Sequence, residues 1–166
     1  MTTSALRPRP PAHSFHYLLR RFAILAFTAA LLSGCTKQHL DGPVVGRGAV
    51  WALEVQKVRS GPNHFGYQNT NYVPARGTRF LWVVLRLSNL TAQDQQFSWS
   101  TCSLDRGIAN ILPSLVAVDT VINILKSEEE RISANDSVGR KVAFSYPKGH
   151  LPTRLVCGGT TIPLDL

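Results

Sequence analysis

Thiol and imidazole side chains, the usual nucleophiles and soft metal ligands, are few. Beyond residue 34 they comprise Cys35, Cys102, Cys157, His39, His64 and His150. A cysteine nucleophile needs its thiolate held at a helix start or beside an imidazole. Cys102 instead lies in an alternating stretch, residues 95–104, which has the period of a strand. No two of these histidines stand at zinc-ligand spacing, and Met1 is the only methionine, so neither an imidazole nor a thioether metal site is expected. A Gly-Xaa-Ser-Xaa-Gly elbow, a phosphate-binding glycine loop and a paired-carboxylate motif are also absent. The expectation is a chain with no catalytic residue, no cofactor and no metal.

Aromatic side chains offer a different chemistry. Phe80 and Trp82 share one face of a strand pattern, and so do Phe97 and Trp99. Side by side and exposed, the four rings would form a platform for a sugar or peptide ligand. Turned inward they are core, which is the favoured reading because such rings dominate the buried surface of small domains. A contiguous exposed patch would distinguish the two.

The first cysteine closes a distinctive segment. Residues 1–21 are polar and basic and end in Arg20-Arg21; residues 22–32 are apolar except for Thr28. Eleven residues are too few to span a bilayer and suit the apolar part of a signal peptide. The twin arginines fit the pattern for export of folded proteins poorly, so ordinary unfolded export is expected. The run stops at Leu32-Ser33-Gly34-Cys35, which resembles a bacterial lipobox at all four positions. The resemblance implies cleavage before Cys35, acylation of its thiol and a membrane anchor, since two or three acyl chains hold a protein permanently. Ordinary cleavage near Ala29-Ala30 and a short uncleaved anchor are the alternatives. Thr36 stands where an Asp resembles the inner-membrane retention signal of enterobacterial-type cells, so the outer membrane is favoured if the cell has one.

Removing residues 1–34 leaves 132 of 166, enough for one domain. The formal charge of the whole chain is +8; four of the 18 Lys/Arg precede Cys35, leaving 14 against 10 Asp/Glu, or +4. These cations are scattered, with Arg140-Lys141 the only adjacent pair, so the footprint of a nucleic-acid protein is missing. With Cys35 acylated, Cys102 and Cys157 remain, and outside the cytoplasm a disulfide between them is expected; two separate buried thiols are the alternative.

Residues 36–47 carry two glycines and a proline with little periodicity, and are expected to form a flexible tether before a domain at 48–166. Strands are expected over 49–58, 78–90, 95–104, 140–147 and 153–159, with an edge strand in 160–166 because Pro163 cannot donate to a central ladder. A long surface loop is expected over 60–77, and Glu128-Glu129-Glu130 as a solvated turn or strand edge. Between Gly107 and Arg131 the apolar spacing suits a helix, while Pro113 and the β-branched residues oppose one; a short strand or a helical turn is expected. The sum is an all-β fold, an antiparallel β-sandwich of immunoglobulin size.

Three motifs in order resemble a family of bacterial extracellular immunoglobulin-like domains of unknown function. They are the strand running from Gly77 to Asn89, the hairpin Leu104-Asp105-Arg106-Gly107, and the turn and strand running from Ile132 to Tyr146-Pro147. Where that family usually has Pro-Gly, this chain has Ala134-Asn135, and Asn tolerates the left-handed turn. The resemblance covers residues 48–166 and implies the immunoglobulin-like fold and an envelope setting, without catalytic residues. Expected partners are the bilayer, through Cys35, and an envelope protein. One enzymatic alternative comes from Thr101-Cys102-Ser103-Leu104 and Gly149-His150-Leu151-Pro152, which faintly resemble cysteine peptidases that cut cell-wall peptides. The Asp expected before the cysteine and the Gly expected two residues after it are missing.

Overall fold

The computed structural model describes residues 36–40, 42–105, 107, 109–120 and 122–166. Every strand pair in it is antiparallel. The largest sheet has the order β1 (Lys37–Gln38), β3 (Trp51–Ser60), β6 (Thr78–Asn89), β12 (Ser137–Pro147), β10 (Pro113–Val118), and β2 (Val44–Arg47) also pairs with β3. A four-stranded sheet runs β14 (Thr160–Pro163), β13 (Arg154–Cys157), β8 (Ser103–Asp105), β9 (Asn110–Ile111). Two small ribbons complete the fold: β11 (Glu129–Ile132) with β7 (Gln95–Ser98), and β4 (Phe65–Tyr67) with β5 (Thr70–Tyr72). Strands β3, β6, β12, β13 and β14 lie where the alternation expects them, and β14 is an edge strand.

Period-2 alternation sets one side of the large sheet. Leu53, Val55 and Val58 of β3, Leu81, Val83, Leu85 and Leu87 of β6, and Val142, Phe144 and Tyr146 of β12 point into one core. Phe97, Trp99, Leu104, Leu155 and Ile162 reach the same core from the other elements. The central strand β6 is also buried on its second face along most of its length, through Phe80, Trp82 and Val84, and emerges into water at Arg86. A second cluster of Phe65, Phe80, Trp82, Ala117 and Ala143 occupies that outer face.

Three expectations are corrected. Residues 36–47 are no tether: Lys37 pairs with Ser60 and Gln38 with Arg59, Val44–Arg47 pair with Val55–Ala52, and Leu40 is buried. On its other side β3 carries a bulge against β6, its register shifting between Val55 and Lys57. The 60–77 stretch is more than a surface loop, since it folds into the β4–β5 hairpin and seats Phe65 in the outer cluster. In residues 95–104 the strand stops at Ser98, and a 3₁₀ turn, Trp99–Thr101, separates β7 from β8.

The undecided 107–131 region contributes strands β9, β10 and the start of β11, where the β-branched side chains prevail over the helical spacing. Glu130 is less solvated than expected: its carboxylate takes the Arg140 guanidinium and the Trp99 Nε1–H, with its side chain 13 % exposed. The turn before β12 survives the missing Pro-Gly because Asn135 adopts φ +58°. At the β8–β9 hairpin, Gly107 has φ +84° and donates its N–H to Asp105 Oδ1.

Candidate functional site

Cys35 and the preceding Leu32, Ser33 and Gly34 lie outside the described residues. Cys102 and Cys157 are joined in a disulfide and both are fully buried. The bond staples the chain just before β8 to the end of β13, next to the pair Ser103–Val156. Cys102 therefore offers no thiol to a nucleophilic mechanism, and His150 is exposed in the turn after β12.

The four rings of the expected platform are all buried, none more than 2 % exposed. They also belong to different layers. Phe97 packs edge-on against Trp51 and Trp99 at 5.1 and 4.9 Å between centroids, inside the main core. Phe80 and Trp82 pack on the outer face, with Trp82 5.7 Å from Phe65. The platform reading is thereby corrected: the β4–β5 hairpin covers the face of β6 from which Phe80 and Trp82 project. No continuous aromatic surface exists among these four.

Roofing that face leaves a cavity of about 130 Å³. Its floor is Phe65 and Trp82, and Trp82 is held in place by donating Nε1–H to Pro62 O at 3.1 Å. Arg59 and Lys141 enter from two strands that flank β6. Arg59 aligns with Trp82 and Ala143, while Lys141 aligns with Val84 and Lys57, one step along the same face. Asn123, which donates to Gly66 O at 2.9 Å, ties the 119–125 segment to the hairpin and closes a further side. Exposed His64 stands at the mouth.

The electrostatics of this cavity are one-sided. Lys141 is 8 % exposed, donates to Thr120 O at 3.3 Å and lies 5.7 Å from the Phe65 ring centre. Burial pushes its pKa below the ordinary lysine value; Asp119 nearby pushes upward and Arg59 downward. Arg59 Nε is buried and makes no hydrogen bond. Among the described residues no carboxylate lines the cavity. The arrangement can receive negative charge.

Sequence reasoning missed Arg59 and Lys141, treating the cations after Cys35 as scattered surface. Lys141 stands in the phase of β12 shared by Ala143 and Ser145, opposite Val142, Phe144 and Tyr146, and so reads in the sequence as a surface cation. Among the described residues, no group of three or more His, Cys, Asp or Glu side chains could hold a metal ion. No described helix is long and apolar enough to cross a membrane. No family model, curated protein or solved structure matches this chain.

Proposed function

We propose that the chain is an exported envelope lipoprotein, anchored through an acylated Cys35 and acting as a non-enzymatic binding or structural module. The observation that carries this reading is the apolar run ending in Leu32-Ser33-Gly34-Cys35 ahead of a domain stapled by a buried disulfide. Disulfides persist in oxidising compartments, so the bond supports export independently of the leader. We read the domain as an immunoglobulin-like β-sandwich, with the large sheet as one layer and the β14–β13–β8–β9 and β11–β7 sheets as the other. The core that these sheets share supports that arrangement. Thr36 in the position after the cysteine favours the outer membrane.

The β1 pairing changes how such an anchor would act. With Lys37 already hydrogen-bonded into the sheet, only Thr36 separates it from Cys35. An acylated Cys35 would hold the domain against the bilayer surface rather than at the end of a twelve-residue arm.

The test is metabolic labelling with an alkyne fatty acid. Wild-type chain should incorporate label and run at the processed size, whereas Cys35→Ala should remain an unlabelled precursor. Normal labelling of that variant would overturn the lipoprotein reading. A ligand-receptor function is the second reading. The aromatic-platform version of it loses its surface, and the observation that now favours it is the cationic cavity beneath the 60–77 segment.

A further inference from the structure

We propose that the cavity bounded by Arg59, Lys141, Asn123, Phe65 and Trp82 is a binding site for the phosphate group of a small ligand. The inference rests on the binding-module reading and is independent of the lipid anchor. It begins from an imbalance. The other buried cation of the described residues, Arg140, is matched by the Glu130 carboxylate. Among the described residues Arg59 and Lys141 form no ion pair, although Lys141 is among the most buried charges. Withdrawing a charge from water is unfavourable by several kcal/mol unless a partner or hydrogen bonds compensate it. Here compensation is partial: one carbonyl, one ring face and the charge of exposed Asp119 nearby for Lys141, and no hydrogen-bond partner for Arg59 Nε. Arg79, the other arginine with an unpartnered buried Nε, donates from Nη2 to His150 O and does not line the cavity.

The missing partner is an anion, and the cavity's chemistry selects its kind. Two cations facing one space are neutralised by a phosphomonoester, which carries about −1.5 to −2 at pH 7, and only half neutralised by a carboxylate. Arg59 supplies a fork of donors suited to phosphoryl oxygens and Lys141 a compact point charge. Asn123 and His64 add further hydrogen-bonding groups at the rim. The apolar floor of Phe65 and Trp82 keeps the local dielectric low and strengthens each of these bonds. A cavity of about 130 Å³ holds a phosphate group and little more, so the organic part of the ligand remains at the mouth beside His64.

Isothermal titration of the full-length chain, purified in detergent, tests this with inorganic phosphate, glycerol phosphate, a short-chain phosphatidic acid below its micelle concentration, and acetate at matched ionic strength. Saturable binding of phosphate or of either ester is expected, with acetate at least about tenfold weaker. Comparable affinity for inorganic phosphate and glycerol phosphate would assign a free anion; binding confined to the phosphatidic acid would assign a lipid head group. Arg59→Gln and Lys141→Met should each weaken binding by about tenfold or more, each losing a charge-assisted contact. Lys141→Met replaces a buried charge with an apolar chain of similar length, so its fold is expected to hold, as a thermal melt will show. No saturation up to about 10 mM, acetate binding as tightly as phosphate, or undiminished affinity in the folded Lys141→Met protein would overturn the proposal. The same titration on Cys35→Ala should be unchanged, so failure of the anchor and failure of the site are read separately.

Discussion

At the scale of single residues, His39 shows how the chain's first described segment is locked to the sheet. Its Nε2 lies 2.7 Å from Ser60 Oγ, and its backbone N–H donates to Val58 O. Burial, and then the charges of Arg79 and Lys37, hold its pKa below the ordinary imidazole value of 6.5. The folded chain therefore prefers the neutral ring and binds fewer protons than the unfolded chain between that lowered value and 6.5. Its stabilising contribution is complete above pH 6.5 and is lost as the pH falls through the folded-state value. Urea midpoints should accordingly be lower at pH 5.5 than at pH 7.5, and His39→Gln should remove most of that difference; an unchanged difference would refute the assignment. Asp94 and Asp105 do not confuse the measurement. The N–H groups of Ala134 and Gly107, as the leading causes, hold these carboxyls below 3.8, and their contributions are lost only beneath that pH.

At the scale of elements, β2 links the two larger sheets. It pairs with β3 along its backbone and packs against β14 with its side. Gly46 permits this closeness, because a Cβ there would stand 2.6 Å from Ile162 Cγ1 and 2.9 Å from Thr160 Cγ2. Gly46→Ala should destabilise the domain by about 1–3 kcal/mol through overpacking. The loss should be local as well as global, with faster amide hydrogen exchange at Ile162, and an unchanged melt would show that β14 can yield. Gly158 is held similarly: its φ is +54° and a Cβ would stand 2.8 Å from Phe97 Cε2. Both glycines read in the sequence only as breaks in a pattern, since the demand on them comes from strands they do not adjoin in the chain.

At the scale of the molecule, the disulfide closes a loop of 55 residues that includes β8, β9, β10, β11, β12 and most of β13. In the chain-entropy account such a closure contributes about 4 kcal/mol. Alkylation without reductant should leave Cys102 and Cys157 unmodified even in denaturant, and labelling of both would refute the bond. Reduction should lower the denaturation midpoint sharply, because both sulfurs sit in the main core. What the sequence by itself determined is the strand character of β3, β6, β12 and β13, because side-chain alternation is a local property of a pleated backbone. It also made Cys102 and Cys157 partners once Cys35 was set aside. What only the tertiary structure decided is which second face is covered. Period 2 identifies that Phe80 and Trp82 share a side of β6, but whether they meet water depends on where the β4–β5 hairpin comes to rest. The same holds for Arg59 and Lys141, which belong to strands distant in the chain and become neighbours only through the register of both with β6. Register is a property of paired strands, so the cationic cavity had no signature in any one stretch of residues.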